Sequence, residues 1–131
     1  MRSLTVALAI LLVLPAAASN AQEAIGKATS VRPQADGSHG GPLSGGSNVY
    51  AKETVRTGQS GQADMRFHDS STLKVGPSSS VKLDKFVYDP NKSGGTVAVE
   101  ATRGTFRFVT GSQGAGAYKV KTPYGTLGVR G

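Results

Sequence analysis

The stretch from residue 53 to residue 90 places the strongest constraint on the fold. It reads ETVRTGQSGQADMRFHDSSTLKVGPSSSVKLDKFVYDP. Short runs of alternating apolar and polar residues are interrupted at close intervals by Gly, Pro, Asp and Ser. This pattern is typical of short β-strands that are half buried and joined by tight turns. No run with a helical period of 3.6 residues follows the first 21 residues, so the pattern predicts an all-β fold.

The first 21 residues have the organisation of a helical secretory signal peptide. A short basic start precedes an apolar run over residues 4–14 and small or helix-breaking residues over 15–21. We expect cleavage before Gln22, with cleavage after Ala18 as the alternative. The apolar run is well short of the ~20 residues that span a bilayer, which disfavours an uncleaved anchor. The mature chain is therefore predicted to be exported, to the periplasm or beyond the cell.

The predicted mature chain, residues 22–131, is long enough for one domain and too short for two. The sequence contains no Cys, so disulfides, thiolate metal sites and a Cys-linked lipid anchor are excluded. Stability must come from apolar burial and strand hydrogen bonds. Short strands and tight turns fit a β-roll, a solenoid-like stack or a sandwich, and these three architectures remain open.

Turn residues divide the mature chain into about eight or nine short strands. The predicted strands are 24–31, 49–56, 61–68, 72–75, an apolar set from Val81 to Phe86, 96–102, 105–110, 117–122 and 126–129. The spacing after Leu83 predicts a β-bulge. Residues 32–48 are rich in Gly, Pro and Ser and predict a long, flexible surface loop.

Strand side chains alternate between two faces, so the pattern also separates a core from a surface. The predicted inward positions are Ala63, Met65, Phe67, Leu73, Val75, Val81, Leu83, Val97, Val99, Phe106, Phe108, Tyr118, Val120, Leu127 and Val129. The predicted outward cations are Arg66, Lys74, Lys82, Arg107, Lys119 and Lys121, with Arg130 near the C terminus. Only three outward acids, Asp64, Asp84 and Glu100, accompany them.

These outward cations predict a surface that attracts an anionic partner. The whole chain has a formal net charge of +7, and such a surface favours an acidic envelope protein or an anionic glycan. The alternative interpretation is that the cations keep strand edges from pairing with other chains. Nucleic acid is disfavoured, because the inward positions of Phe67, Phe106 and Phe108 remove the rings that would stack on bases.

No catalytic or metal site assembles from the sequence. His39 lies in the Gly-rich segment, and His68 lies at a strand end where a turn role is simpler than general-base catalysis. The serine run 78–80 has no nucleophile elbow or neighbouring base. The oxygens of Asp84, Asp89 and Asn91 are too sparse for Ca²⁺. The GSQGAG segment, 111–116, opens no helix, so a hairpin turn is favoured over a phosphate loop. We therefore expect no enzyme activity, cofactor or metal.

Several motifs resemble the FecR-domain family. The first half of the resemblance comprises Thr57-Gly58, the run Asp69 to Leu73, Gly76 and Ser80. The second half comprises Gly104-Thr105-Phe106 and the segment from Thr122 to Gly131. The resemblance covers roughly residues 25–131 and departs from the family at two points. Ser70 stands where the family usually has Gly, and the sequence ends before the family's last strand.

Within the resemblance we assign structural turn roles to Gly58, Asp69, Gly76 and Gly104. Asp69 is predicted to cap its turn with a side-chain oxygen, which places Ser70 where Gly would be easier.

The resemblance implies a role outside the cytoplasm. FecR domains are best known as the outer half of membrane regulators that relay a transporter's state to a sigma factor. The sequence shows neither a sigma-binding segment nor a transmembrane segment before or after the domain. We therefore favour a free-standing exported binding module of the cell envelope. The alternative is a sensor component that regulates a sigma factor through a separate membrane partner.

Overall fold

The computed structural model describes residues 23–92 and 94–128, which form short strands and one 3-10 helix, Ala115–Ala117. The strands are β1 (Ala24–Arg32), β2 (Ala35–Gly37), β3 (Gly41–Pro42), β4 (Asn48–Tyr50), β5 (Thr54–Thr57), β6 (Gln62–Phe67), β7 (Thr72–Val75), β8 (Ser80–Val87), β9 (Thr96–Arg103), β10 (Phe106–Val109), β11 (Tyr118–Thr122) and β12 (Gly125–Gly128). The predicted signal peptide, Val129 and Arg130 lie outside the described residues.

The strands form two sheets packed around one core. The five-stranded sheet has the order β10-β7-β6-β1-β4, and the seven-stranded sheet has the order β12-β11-β9-β8-β5-β2-β3. Side chains from both sheets meet in a single hydrophobic cluster. The all-β prediction is confirmed, and a sandwich is the architecture that forms.

The core is built from fully buried side chains on both inner faces. Val49, Met65 and Leu73 come from the five-stranded sheet, while Val55 and Val81 come from the seven-stranded sheet, each at most 1% exposed. Burying one such side chain stabilises the fold by roughly 1.5–3 kcal/mol. In a chain without Cys, this burial and the strand ladders hold the sandwich together.

The chain crosses between the sheets repeatedly, and one crossing gives a parallel pair. β9 and β11 run parallel, with Val97 opposite Tyr118 and Val99 opposite Val120. Parallel neighbours need a long connection. Here the connection contains β10, which lies in the opposite sheet, so the segment from β9 to β11 makes one coil around the core.

The predicted faces agree with the observed burial. The inward positions Ala63, Met65, Phe67, Leu73, Val75, Val81, Leu83, Val97, Val99, Tyr118 and Val120 are all at most 4% exposed. Phe106 and Phe108 are half-buried and pack against the core. The register of β8 shifts between Leu83 and Lys85, where the bulge was predicted. The burial of Leu127 is not described.

Two predicted boundaries need correction. Residues 32–48 are not one loop, because β2 and β3 lie within them and Ala35 and Leu43 are buried. The Leu43 amide donates to the Ala35 carbonyl at 2.8 Å, which fixes this segment against the core. The predicted strand 49–56 is two strands in different sheets. A turn in which Lys52 has a φ of 64° separates β4 from β5.

Candidate functional site

The six predicted cations do not form one surface. Arg66, Lys74 and Arg107 lie on the five-stranded sheet, whereas Lys82, Lys119 and Lys121 lie on the seven-stranded sheet. All six face away from the core, and all are exposed except Lys82, which is half-buried. The single outward set predicted from alternation is therefore two sets on opposite sides of the sandwich.

Four cations on the five-stranded sheet face each other in pairs. Lys27 on β1 lies directly opposite Arg66 on β6. Lys74 on β7 lies directly opposite Arg107 on β10. We call these four exposed residues the cationic face. Directly opposed like charges in a sheet are destabilising, and Asp64, across from Lys74 on β6, is the acid next to them.

Lys27 is not among the cations predicted from strand alternation. Simple alternation fails along β1, because its register shifts between Ala24 and Gly26 and again between Ala28 and Ser30. For a lysine between two bulges, the sequence alone does not say on which face of the sheet the side chain lies. Its position follows only from the pairing with β6.

Two lysines on the seven-stranded sheet share an acidic neighbour. Lys82 on β8 and Lys121 on β11 both lie opposite Glu100 on β9. Lys119 and Lys85 are separated by Ala98 on the strand between them. Opposite charges across a sheet stabilise it, so the positions of Lys82 and Lys121 have an explanation within the fold.

A buried polar cluster surrounds Asp69 at the turn between β6 and β7. Its Oδ1 accepts hydrogen bonds from the Ser71 amide at 3.0 Å and the Ser71 hydroxyl at 2.5 Å. Its Oδ2 accepts from the Tyr118 hydroxyl at 2.8 Å and from Gln113 Nε2 at 3.1 Å. The Tyr118 oxygen in turn accepts from the amides of Gly111 and Gln113. The turn is thus joined to the 111–117 segment and β11.

This cluster shifts two pKa values in opposite directions. Burial alone would raise the pKa of Asp69, but hydrogen bonds from Ser71, Gln113 and Tyr118 outweigh it and hold the pKa below its usual 3.8. Burial and the bond to the Asp69 carboxylate raise the pKa of Tyr118 above its usual 10.0. The cluster is therefore most stable with Asp69 ionised and Tyr118 neutral, a combination that supports a structural role for both residues.

The three predicted turn glycines lie around a second polar cluster. A Cβ at Gly76 would meet Thr105 Oγ1, and one at Gly104, where φ is 88°, would meet Ser79. The Gly58 carbonyl accepts from the amides of Gly61 and Ser78, at 3.0 and 2.9 Å. The close contacts give Gly76 and Gly104 a packing reason, whereas a Cβ at Gly58 would meet only Gln34, at an ordinary contact distance of 3.9 Å.

Side chains complete this second cluster. Thr57 Oγ1 donates to the Gly76 carbonyl and accepts from the Ser79 amide. The buried Ser79 Oγ accepts from the Thr105 amide at 3.0 Å. Much of the resemblance motif, Thr57-Gly58, Gly76 and Gly104-Thr105, therefore forms one corner of the sandwich.

Glu53 is a buried carboxylate that the sequence did not reveal. It is 0% exposed. Its Oε1 accepts from the amides of His39 and Gly40, at 3.2 and 3.1 Å, and its Oε2 accepts from the Tyr50 amide at 2.9 Å. A single Glu among polar residues gives no sign of burial, so the bonds are visible only in the folded chain. They fix the turn between β2 and β3.

The candidate catalytic residues do not come together. His39 is exposed with Nδ1 at 3.1 Å from the Ser38 hydroxyl, and the exposed His68 packs edge-on against Phe86. Ser79 Oγ donates to the Pro77 carbonyl and serves the corner described above. Within residues 23–92 and 94–128, no three His, Cys, Asp or Glu side chains cluster as metal ligands would.

The fold and these surfaces define a small all-β sandwich with charged faces and buried polar clusters that serve its turns. A family model described as FecR protein matches residues 53–131, and the chain belongs to the FecR family. This family acts in signalling, where it regulates sigma factors together with partner proteins. No curated protein and no solved structure matches the chain. In the part of the chain that the structure describes, no helix has the length and hydrophobicity to cross a membrane.

Proposed function

We propose that this chain is a non-enzymatic, extracytoplasmic FecR-type binding module. Its cationic face holds an anionic partner, either an acidic envelope protein or an anionic glycan. The observation that supports this function is the pairing of Lys27 with Arg66 and of Lys74 with Arg107 on one exposed sheet surface.

The paired cations destabilise the free protein by mutual repulsion. Like charges directly opposite each other cost roughly 0.2–1 kcal/mol, in the range of other cross-strand pairs. A partner with several negative charges relieves that repulsion when it binds. The cationic face therefore gains more from an anionic partner than four isolated lysines or arginines would.

The opposite sheet supports this choice of surface. Glu100 lies between Lys82 and Lys121 in the register of the sheet and lowers the local positive charge. A partner would have to compete with Glu100 for these lysines. Arg66 and Arg107 have no acid directly opposite them, so Lys82 and Lys121 provide a matched control pair.

Binding to heparin, a sulfated glycan, tests the cationic face. The double variant R66Q/R107Q and the control K82Q/K121Q each remove two positive charges. We expect R66Q/R107Q to weaken binding at low salt by about tenfold or more, and K82Q/K121Q to weaken it far less. The difference should shrink at high salt, because exposed charges are screened. Equal losses of heparin affinity in the two double variants would show that only net charge matters, which would contradict the proposal.

A second candidate function is favoured by the family match itself. In this function the module is a sensor component that regulates a sigma factor through a separate membrane partner, and the cationic face contacts an acidic surface of that partner. A photoreactive residue at position 107 should then crosslink one membrane protein in cells. R66Q should reduce that crosslink and the transcription that depends on the sigma factor, while K82Q should change neither.

Export is tested directly by the mass of the mature protein. We expect a chain that begins at Gln22 in the periplasmic or culture fraction, because small residues precede this position. A start at Ser19 would move the cleavage site to its alternative. A full-length chain that remains in the cytoplasm would contradict the extracytoplasmic assignment.

A further inference from the structure

A polar groove crosses the seven-stranded sheet on the side away from the cationic face. Its volume is about 450 Å³. The residues that define it are Arg56, Gln59, Ser78, Ser80, Thr102 and Arg103. Neither arginine was singled out in the sequence, because Arg56 lies at the end of a predicted strand and Arg103 lies at a predicted turn.

The two arginines flank a serine in one row of the sheet. Ser80 on β8 lies opposite Arg56 on β5 and opposite Arg103 on β9. Adjacent strands are about 4.8 Å apart, so about 10 Å separates the backbones of the two arginines. Both arginines are exposed, and Ser80 lies between them on the outer face. Both arginines line the same groove, beside a shift in the register of β8 against β9 between Ser80 and Val81.

The floor of the groove is fixed before any ligand arrives. The Ser78 amide donates to the Gly58 carbonyl at 2.9 Å, and the Thr57 amide donates to the Ser79 carbonyl at 3.0 Å. Ser78 is a non-glycine residue with a φ of 50°. Such conformations are found where the surrounding structure enforces them, often at functional sites. A rigid floor lowers the ordering cost of binding.

We propose that this groove binds a phosphate monoester on a sugar, as in a phosphorylated glycan. Arginine presents a planar fork of N–H donors that matches phosphate and carboxylate oxygens. A tetrahedral phosphate offers three terminal oxygens and can be held from both sides, whereas a planar carboxylate offers two. The volume exceeds what a phosphate ion fills and lies in the range of small-molecule sites. The site is independent of the cationic face and of the function proposed for it.

One acidic residue limits the affinity of the groove for its phosphate ligand. Asp36 on β2 lies opposite Arg56 on the side away from Ser80. From this position its carboxylate would compete with the ligand for that guanidinium. Replacing it with Asn should therefore tighten binding, which is the opposite of what loss of an ordinary binding residue does.

The test is a titration of the mature protein with glucose 6-phosphate, inorganic phosphate and glucuronate at constant ionic strength, followed by amide chemical shifts. We expect saturable binding of glucose 6-phosphate, with shifts confined to 56–59, 78–80 and 102–103. R56Q and R103Q should each weaken it by about tenfold, as expected for hydrogen bonds between charged groups. D36N should tighten it. Binding should also strengthen from pH 5 to pH 7, because a phosphate monoester takes its second charge near pH 6.

The control K85Q/K92Q also removes two positive charges, both from exposed positions outside the groove, and should leave the affinity unchanged. Thermal melts of each variant show whether the fold is intact. Equal binding of glucuronate would overturn the choice of phosphate. Equal binding of inorganic phosphate would overturn the choice of a sugar ligand. Shifts spread over both faces, or no saturation, would overturn the site itself.

Discussion

At the residue scale, backbone strain is concentrated in a few turns. Within the described residues Lys52, Ser70 and Ser78 have positive φ values without being glycine. The left-handed region costs an L-residue roughly 1–2 kcal/mol, and glycine avoids this cost. Ser70 has a φ of 67° and stands where the FecR pattern usually has Gly. The sequence prediction that this position favours glycine agrees with the observed backbone.

The change Ser70→Gly should raise the free energy of unfolding by a few tenths to about 1 kcal/mol, since relief of strain exceeds the added chain entropy. Ser60→Gly is the control, because Ser60 is also an exposed turn serine but its φ is not positive. Urea denaturation measures both. A gain at position 60 equal to that at position 70 would show that backbone conformation is not the cause.

Asp69 gives the fold a pH dependence of defined sign. Its pKa is lowered in the folded chain, so its stabilisation is complete above the unfolded value near 3.8 and is lost as the pH falls through the folded value. Asp69→Asn should destabilise the protein by about 1–3 kcal/mol at neutral pH, since an NH2 donor replaces one of the two oxygens that accept hydrogen bonds from buried partners. Urea denaturation should show that the difference in unfolding free energy between the wild type and Asp69→Asn becomes smaller towards pH 2. A gap that is constant with pH would argue against a charged Asp69 in the fold.

The sequence revealed half of the role of Asp69. The bond to the Ser71 amide is local, since Asp favours such turns, and it was predicted. The bonds to Gln113 and Tyr118 span 44 and 49 positions, so no local pattern encodes them. Glu53 was missed for the same reason.

At the element scale, alternation predicts strands well where both neighbours pair without interruption. Strands β6 and β7 and the inner face of β8 agree with the sequence because each buries one clear apolar set. The segment 32–48 was mispredicted because Gly, Pro and Ser are typical of loops, while its two short strands depend on pairing with β5. The cationic face was not predicted, because the alternation of side chains along a strand identifies outward residues without showing which sheet contains the strand.

The repulsion across β1 and β6 is measurable by a double-mutant cycle. The single changes Lys27→Gln and Arg66→Gln and the double variant should give an unfavourable coupling of roughly 0.2–1 kcal/mol at low salt. High salt should remove it, because these side chains are exposed. The half-buried Lys82 and Glu100 should give a coupling of the opposite sign. Zero or favourable coupling between Lys27 and Arg66 would remove the energetic basis of the proposed binding surface.

At the scale of the whole molecule, the domain is larger than the family match. The match begins at Glu53, yet β1 lies inside the five-stranded sheet between β6 and β4. Its residues Ile25 and Ala28 are buried. The strands before residue 53 are therefore part of the same sandwich.

A chain limited to residues 53–131 should fail to fold, because the loss of β1 exposes the ladder of β6 and part of the core. Residues 22–131 should show a cooperative thermal transition, and residues 53–131 should show none, with dye binding to exposed apolar surface. A cooperative transition in the shorter chain would mean that the segment before Glu53 is dispensable.

The division of cations between two sheets has a consequence for occupancy. The core separates the surface of Lys27 and Arg66 from the row of Arg56 and Arg103, so no single small ligand reaches both. At the two proposed sites, two unlike molecules would therefore bind one copy of the domain without competing, and a chain of 13.4 kDa would bridge them.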